Sequence, residues 1–331
     1  MLQLALLSFW HVHAKDYLQD AAQHPDTKVV AVWDEIYERG QHEAEKRGLQ
    51  VYQHLDDLLS RPDIDGVIVT TPTHMHEAVM VAAAKAKKHI FTEKVLAPAK
   101  TAALTILNAA QEHNIKLCVS LPRLYHGYTQ AIKGLIDQGA LGDVSYARVR
   151  LAHDGAVSTP QNPEGWLPAH FYKAEQACGG ALIDLGCHPV YLLQEFLGRP
   201  QSVQATFGYF TQRAVEDQAV VTLGFADGVI GVAETGFVSG QAPIQIEVQG
   251  SSGRVYYGFG DEKLTIYQRE TPQDVNIDLP KDLATPFELW VAQIREGADG
   301  SHNLAHATTL TEVMEAAYVS AQQNRTIALA Q

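Results

Sequence analysis

The stretch Ile90-Phe91-Thr92-Glu93-Lys94 has the composition of a short buried strand that ends abruptly in a charged pair. In an open parallel sheet, ligands bind just beyond the carboxyl ends of the strands. A lysine there is placed to meet a bound molecule, although most lysines are simply exposed to solvent. The segments on either side of Lys94 therefore have to establish which kind of sheet contains it.

Short apolar runs alternate with helical patterns along the first third of the chain. Besides the stretch above, strands are predicted over residues 2–7, 28–33, 51–52, 66–70 and 116–120. Helices are predicted between them over residues 14–23, 37–46, 55–59, 76–86 and 100–113. This alternation is typical of βαβ units, and it predicts a doubly wound parallel sheet of the α/β class over residues 1–121.

The pattern changes after Pro122. Helices are predicted over residues 128–138, 181–197, 287–295 and 304–322, a strand over 143–151, and a loop with short helices over 162–177. Residues 202–268 are rich in strands, with hairpin signals at Ala226-Asp227-Gly228 and Gly250-Ser251-Ser252-Gly253. We therefore expect a second, α+β domain over residues 122–331, built on one large, mostly antiparallel open sheet.

Composition and charge limit the classes of function. The chain has 331 residues, 46% hydrophobic and 19% charged, which suits two domains with substantial cores. A formal net charge of -13 argues against nucleic acid or an anionic membrane as the partner. Its three cysteines are too few for a disulfide scaffold, and it lacks an apolar run of about 18 residues and the basic start of a signal peptide. We expect a cytoplasmic protein.

A first strand, a turn, a helix and an acidic residue at the end of the second strand form the frame of a dinucleotide site. Asp34 is placed to accept hydrogen bonds from the adenosine ribose hydroxyls. Asp34 and Glu35 would repel a 2′-phosphate, which favours NAD over NADP. Arg39 is near enough in sequence to weaken that preference.

The turn itself departs from the pattern of a dinucleotide site. It is Ser8-Phe9-Trp10-His11-Val12-His13, where G-x-G-x-x-G is usual, and Trp10 replaces the glycine that lets backbone approach the pyrophosphate. The following helix still offers free N–H groups at its N-terminus, and Ser8, His11 or His13 can donate to a phosphate. Two interpretations remain: a slightly displaced cofactor, or a turn that no longer binds one.

Thr71, Pro72 and His76 follow the fourth predicted strand and are candidates to contact the cofactor. The alternative is an ordinary strand-to-helix connection in which Thr71 or Thr73 caps the helix. The sequence leaves both interpretations open.

His11 and His13 also have an alternative interpretation, since an H-x-H pair after a first strand begins the metal site of many barrel hydrolases. His74 and His76 form a second such pair. However, no evident aspartate follows a last strand, and the antiparallel half does not fit eight βα units. We therefore expect no metal site.

Lys94, Asp184 and His188 are the candidates for catalysis. Asp184 and His188 lie four residues apart, so a helix would place them on one face. A carboxylate beside an imidazole fixes its tautomer and raises its basicity, as in a general base. The alternative is a helix-capping or core aspartate near an ordinary histidine.

Taken together, four stretches resemble the glucose–fructose oxidoreductase/inositol dehydrogenase (GFO/IDH/MocA) family of NAD(P)-dependent oxidoreductases. They are Thr71-Pro72 with His76, Glu93-Lys94, Gly179-Gly180-Ala181-Leu182-Ile183-Asp184-Leu185-Gly186-Cys187-His188, and the alanine-rich helix around residues 312–320. The resemblance implies a Rossmann-like first domain and a catalytic set of Lys94, Asp184 and His188. Val95 departs from the family's E-K-P, and Tyr191 stands where an acidic residue often contacts substrate.

We therefore expect an NAD-dependent dehydrogenase that acts on a secondary alcohol of a sugar, cyclitol or related polyol. The expected cofactor contacts are Ser8, Phe9, Trp10, His11, His13, Asp34, Thr71, Pro72, His76, Glu93 and Lys94. The candidate substrate contacts are Arg123, Trp166, His170 and Tyr172. The resemblance also suggests a homodimer or homotetramer formed through the second sheet. The rival from another class is a sensor or subunit that kept the fold and lost the cofactor.

Overall fold

The computed structural model describes residues 1–240 and 242–330. The chain divides into two compact units, which are described separately: Met1–Ser120 with Ala284–Thr308, and Leu121–Leu283 with Thr309–Gln331. The first junction lies one residue before the boundary predicted after residue 121. The segment Ala284–Thr308 differs from the prediction, because it groups with the first unit instead of the second.

A parallel sheet forms the centre of the first unit. Its strands are β1 (Leu2–Leu7), β2 (Thr27–Trp33), β3 (Gln50–Tyr52), β4 (Gly66–Val69), β5 (His89–Thr92) and β6 (Leu117–Val119). They are ordered β3-β2-β1-β4-β5-β6, and each neighbouring pair is parallel. The helices between them are α1 (Ala14–Gln23), α2 (Tyr37–Glu45), α3 (Leu55–Leu59), α4 (His76–Lys85) and α5 (Lys100–Glu112). The predicted doubly wound sheet is confirmed, and its strand order reverses between β1 and β4, where such sheets bind ligands.

A larger sheet forms the centre of the second unit. Its strands are β7 (Val144–Ala152), β8 (Ser202–Gly208), β9 (Gln218–Gly224), β10 (Ile230–Gly236), β11 (Ala242–Gly250), β12 (Gly253–Tyr257), β13 (Leu264–Gln268), β14 (Thr271–Ile277) and β15 (Ile327–Ala328). They are ordered β14-β13-β12-β11-β7-β10-β9-β8-β15. Only the β7–β10 pair is parallel among the pairs in the described part of the chain. The prediction of a mostly antiparallel sheet is confirmed.

The helices of the second unit include α6 (Gly127–Asp137), α7 (Ala174–Ala177) and α8 (Cys187–Leu197). A π-helical turn, Leu182–Gly186, leads directly into α8. Pro189 is the third residue of α8, immediately after the change of pitch from the π-helical turn. The helix predicted over residues 181–197 is therefore two joined helices of different pitch.

Two helices, α9 (Pro286–Glu296) and α10 (Ser301–Gln323), precede the last strand, β15. Helix α9 belongs to the first unit because its apolar face packs against the parallel sheet. The rings of Trp290 and Phe287 lie 5.8 and 5.4 Å from that of Phe91, and a Cβ on Gly66 would lie 2.9 Å from the Trp290 ring. Truncating such a buried ring costs about 3–5 kcal/mol. Among the described residues, no helix is both long and apolar enough to span a membrane.

Candidate active site

The β1–α1 turn closes without the glycines that a dinucleotide site normally uses. Ser8 adopts a φ of 83°, the left-handed conformation that glycine usually supplies. Its hydroxyl accepts a hydrogen bond from the Trp10 N–H at 2.9 Å, and the Phe9 N–H donates to Asp34 Oδ2 at 2.8 Å. Trp10 is 4% exposed, so its ring is buried in the first unit. The turn thus keeps a glycine-like backbone with larger side chains.

Asp34 lies just after β2 and is held by Arg39. The Arg39 guanidinium donates to Asp34 Oδ1 at 2.7 Å and Oδ2 at 2.9 Å, and to Glu35 Oε1 at 2.5 Å. Burial alone would lower the pKa of Arg39, but the hydrogen bonds and charges of the two carboxylates outweigh it and raise that pKa. A Cβ on Gly40 would lie 2.6 Å from the Asp34 Cβ, so glycine is needed there. The guanidinium is therefore committed to the two carboxylates.

Glu93, just after β5, is the centre of a buried polar cluster. Its Oε2 lies 3.8 Å from His11 Nδ1 and 3.4 Å from His13 Nδ1, and it accepts a short hydrogen bond from the Tyr17 hydroxyl. Burial opposes the charged form of Glu93, but His11, His13 and Lys94 outweigh it and hold the pKa of this carboxyl well below its usual range. Glu93 is therefore a carboxylate at neutral pH.

Lys94 is buried, in contrast to an ordinary lysine at a strand end. Its side chain is 3% exposed, and Nζ lies 3.7 Å from Glu93 Oε1. The peptide that joins it to Val95 is cis. Burial of an ammonium group is costly unless it is paired, so the adjacent carboxylate stabilises this placement.

His76 braces the chain that follows Lys94. Its Nδ1 lies 2.9 Å from the carbonyl oxygen of Val95, and its Nε2 lies 3.3 Å from that of Thr71. Burial lowers the pKa of His76, which favours the neutral imidazole. Thr71 and Pro72 are buried beside it, ahead of a single 3₁₀ turn over Thr73–Met75. A cofactor contact by these residues stays a prediction.

In the second unit, Asp184 lies on the π-helical turn and His188 is the second residue of α8. Their predicted common helix is therefore not regular. The Nδ1 atom of His188 lies 2.8 Å from the hydroxyl oxygen of Tyr191, and this hydroxyl also accepts a hydrogen bond from the Arg123 N–H at 3.1 Å. Tyr191 is thus a partner of the imidazole, a contact that the sequence prediction did not include.

A second buried carboxylate anchors the turn that carries Asp184. Glu216 Oε1 accepts hydrogen bonds from the N–H groups of Gly180 and Leu182, both at 3.0 Å, and from the Tyr318 hydroxyl at 2.6 Å. Gly179 and Gly180 permit this close approach, since a Cβ on either would lie about 2 Å from a Tyr318 or Glu216 atom. The Glu216 carboxylate therefore fixes the start of the π-helical turn.

The candidate substrate contacts lie in the second unit, where Trp166 and Tyr172 both contact the segment Asp154–Gly155. Arg123 is half-buried, and its guanidinium donates to the Tyr128 hydroxyl at 3.2 Å. Trp166 is 52% exposed and donates to Asp154 at 2.8 Å. Tyr172 is half-buried beneath the Arg213 guanidinium, which lies 3.8 Å from its ring centre. The imidazole of His170, the remaining candidate, lies 5.1 Å from the ring of Phe171.

Sequence reasoning missed four residues of these clusters: Tyr17, Tyr191 as a histidine partner, Glu216 and Tyr318. Tyr191 lies three residues after His188 on one helix, so helical spacing was a usable signal for that contact. Glu216 is 36 residues from Gly180 and 102 from Tyr318. Because those separations follow no local pattern, no signal in the sequence pointed to that cluster.

The fold also overturns the barrel-hydrolase alternative for His11 and His13. The first unit is an open six-stranded sheet, and His74, the first member of the second H-x-H pair, is exposed. The three side chains that do converge are His11, His13 and Glu93, whose ligand atoms all lie within 4.8 Å of one another.

Two family models match the chain. The one described as "Oxidoreductase family, NAD-binding Rossmann fold" covers residues 11–121, and the one described as "GFO/IDH/MocA C-terminal domain" covers residues 129–256. The first match begins after the turn residues Ser8, Phe9 and Trp10.

Curated relatives carry oxidoreductase names. The dTDP-3,4-didehydro-2,6-dideoxy-alpha-D-glucose 3-reductase of Streptomyces violaceoruber is 29% identical over 59% of this chain and 54% of that protein. The 1,5-anhydro-D-fructose reductase of Ensifer adhaerens is 26% identical over 89% and 87%, and the scyllo-inositol 2-dehydrogenase (NAD(+)) of Bacillus subtilis is 26% identical over 91% and 85%. The chain spans about half the length of two of the dTDP-3,4-didehydro-2,6-dideoxy-alpha-D-glucose 3-reductases that it matches, 54% of one and 49% of the other.

Solved structures show the same fold. A levoglucosan dehydrogenase in complex with NADH and L-sorbose has a TM-score of 0.84 at 19% identity, covering 100% of this chain and 99% of that one. GenD2 from gentamicin A biosynthesis, in complex with NAD, has a TM-score of 0.83 at 24% identity, covering 100% and 97%. With the two family models, these observations lead to one conclusion: the chain belongs to the GFO/IDH/MocA family of oxidoreductases and has its NAD-binding Rossmann fold.

Proposed function

We propose that this protein is an NAD-dependent dehydrogenase that acts on a secondary alcohol of a sugar, cyclitol or related polyol. The observation that carries the proposal is the buried Glu93–Lys94 pair just after β5. This strand belongs to a domain that matches the NAD-binding Rossmann fold of an oxidoreductase family. Relatives that align over most of this chain are named as a 1,5-anhydro-D-fructose reductase and a scyllo-inositol 2-dehydrogenase, which supports this substrate class.

The first unit has features that fit a dinucleotide. The left-handed backbone at Ser8 supplies the turn that glycine normally makes, and Asp34 occupies the end of β2, where the ribose-binding carboxylate lies in such folds. We assign the cofactor contacts to residues of the β1–α1 turn, the end of β2 and the stretches after β4 and β5. They are Ser8, Phe9, Trp10, His11, His13, Asp34, Thr71, Pro72, His76, Glu93 and Lys94.

NAD is the proposed cofactor, in preference to NADP. The carboxylates of Asp34 and Glu35 would oppose a 2′-phosphate at the adenosine ribose. Arg39, the nearby cation, already donates to both carboxylates at 2.5–2.9 Å. Its charge is thereby neutralised locally, so it does not create a phosphate-binding site.

In the proposed reaction, His188 takes the hydroxyl proton of the substrate at Nε2. With Nδ1 protonated and donating to the Tyr191 hydroxyl, Nε2 keeps its lone pair for this proton. Asp184 stabilises the imidazolium that forms, and the Lys94 ammonium stabilises the negative charge that develops on the substrate oxygen. When bound, the nicotinamide ring supplies the hydride acceptor. The alcohol thus loses a proton and a hydride.

Several further assignments belong to the same proposal. The first unit serves the cofactor and the second the substrate, with Arg123, Trp166, His170 and Tyr172 as contacts. The outer face of the second sheet, where Val220 and Ile230 are exposed, mediates a homodimer or homotetramer in the cytoplasm.

The direct test is a screen of sugars, cyclitols and related polyols with NAD+ or NADP+, followed by the absorbance of the reduced cofactor. The proposal predicts turnover of at least one such alcohol, and faster turnover with NAD+. Turnover of none of them, in a protein that binds NADH, would contradict the substrate class.

A non-catalytic sensor of the same fold is the second candidate. Two observations favour it: Trp10 is buried in the turn that normally faces the pyrophosphate, and both oxygens of Asp34 already accept hydrogen bonds from the protein. A titration with NADH, followed by its fluorescence, separates the two. Saturable binding supports the dehydrogenase, and no saturation at about millimolar NADH supports the sensor.

A further inference from the structure

His11, His13 and Glu93 bring three metal-ligating side chains to one point in the first unit. Zinc bonds of about 2.0–2.2 Å in a tetrahedral site place ligand atoms roughly 3.3–3.6 Å apart. The 3.4 Å between His13 Nδ1 and Glu93 Oε2 already has this spacing. The 3.8 Å between His11 Nδ1 and Glu93 Oε2 needs to shorten by only a few tenths of an ångström, which side-chain rotation provides.

The donor atoms of the three side chains suit a cation. The His13 N–H donates to His11 Nδ1 at 3.2 Å, and a metal ion bound at this nitrogen would replace that hydrogen bond, because the nitrogen has a single lone pair. Glu93 contributes a carboxylate oxygen, Oε2, which lies near both histidines. Two imidazoles and one carboxylate form a donor set that leaves the fourth position of a zinc ion open.

Two neighbours of Glu93 orient it toward the histidines. The Tyr17 hydroxyl donates to Oε2. Lys94 approaches the other oxygen, Oε1. The Lys94 charge reduces the affinity for a cation, but it leaves Oε2 directed at the two imidazoles. Partners of this kind hold the ligands of many metal sites.

The cluster is also accessible. The side chain of His13 is 43% exposed, while those of His11 and Glu93 are nearly fully buried. A cation can therefore enter past His13 and end against ligands that are shielded from water.

We propose that His11, His13 and Glu93 form a binding site for a divalent transition-metal ion such as zinc. The site goes beyond the proposed dehydrogenase reaction, which needs no metal, and it uses three of the residues assigned there to the cofactor, so a metal ion and the dinucleotide would compete for them. The competing use of the same histidines is to hold the phosphates of the dinucleotide, and this becomes an outcome of the test.

The test is a titration of tag-free protein with Co²⁺ and with Zn²⁺, followed by calorimetry and by the visible absorption of bound cobalt. The wild type should take up one equivalent, with the intense bands of tetrahedral cobalt. His13→Ala and Glu93→Gln should each weaken uptake by roughly tenfold or more. His42→Ala, at an exposed histidine of α2, is the matched control and should bind as the wild type does.

Three results would overturn the site: no stoichiometric uptake by the wild type, uptake by His13→Ala equal to that of the wild type, or NADH binding that depends on His13 in a protein that takes up no metal. The last result would assign the histidines to the dinucleotide phosphates. Thermal unfolding of each variant identifies one that fails to fold, for which His13→Gln is the substitute. NADH binding, measured on the same samples, distinguishes failure of the metal site from failure of the proposed dehydrogenase.

Discussion

His188 Nδ1 lies 2.8 Å from the hydroxyl oxygen of Tyr191, which in turn accepts a hydrogen bond from the Arg123 N–H at 3.1 Å. A hydroxyl oxygen has two lone pairs, so it can accept from both N–H groups at once. This arrangement is compatible with the tautomer of His188 in which Nδ1 is protonated, the tautomer that the proposed reaction requires. The Nε2 lone pair then remains for the substrate proton.

Replacement of Tyr191 by Phe should lower kcat/KM about fivefold, because the loss of one hydrogen bond removes roughly 1 kcal/mol that favours the reactive tautomer. The acid limb of the pH profile of kcat/KM should also move. Steady-state kinetics across pH provide the measurement, and Tyr256→Phe, at a tyrosine of β12, is the control. A pH profile identical to that of the wild type would remove Tyr191 from the account.

Asp34 should decide between the two nicotinamide cofactors. In Asp34→Ala, the repulsion of a 2′-phosphate is reduced, and the Arg39 guanidinium keeps only Glu35 as a carboxylate partner, so more of its charge is available to the phosphate. We expect the ratio of kcat/KM for NADP+ to that for NAD+ to rise by roughly tenfold or more. Glu38→Ala, an exposed acidic residue of α2, should leave the ratio unchanged. An unaltered ratio in Asp34→Ala would show that the adenosine end is recognised elsewhere.

The Tyr318 hydroxyl should stabilise the second unit through Glu216. Tyr318→Phe removes one donor to a buried carboxylate, and such bonds contribute about 1.5–3 kcal/mol. Chemical denaturation should show a loss of this size in the free energy of unfolding. Tyr37→Phe on α2 gives the comparison, and equal stability of the two variants would contradict the anchoring role.

Glu216 should make stability depend on pH in a defined direction. Burial raises the pKa of Glu216 above its ordinary value of 4.5, although the Tyr318 hydrogen bond opposes this shift. The folded state therefore favours the protonated form more than the unfolded state does. The stabilisation of the folded state by protonated Glu216 is therefore fully present below pH 4.5, and it is lost as the pH rises through the raised pKa.

The measurement is the free energy of unfolding of the wild type minus that of Glu216→Gln, taken at a series of pH values. This difference should decrease as the pH rises from about 4.5. An increase with pH would mean that the hydrogen bonds stabilise the carboxylate more than burial disfavours it.

The parallel sheet was predictable because strands buried on both faces, such as β1 and β4, appear as continuous apolar runs. The position of α9 on this sheet was not predictable from the sequence. It depends on the fit of the Trp290 ring over Gly66, and these two residues lie far apart in the chain. The left-handed Ser8 was also unexpected, since residue-type preferences reserve that backbone for glycine.

The candidate site was predictable only where a local pattern in the sequence marks a residue. Lys94 was found because strand-end position is a local property of the sequence. The role of Glu216 was not, because its partners come from distant segments that only the folded chain brings together. The converging side chains around Glu93 were missed as a cluster, because they join the ends of two strands that are not consecutive.

The turnover number of Lys94→Ala, on the alcohol that the screen identifies, tests the central claim most directly. Lys85→Ala, at an exposed lysine of α4, is the control, and circular dichroism checks that both variants are folded. If Lys94 stabilises the developing charge on the substrate oxygen, kcat should fall roughly 100- to 1,000-fold in Lys94→Ala and stay unchanged in Lys85→Ala. A folded Lys94→Ala variant with a kcat close to that of the wild type would contradict the proposed mechanism.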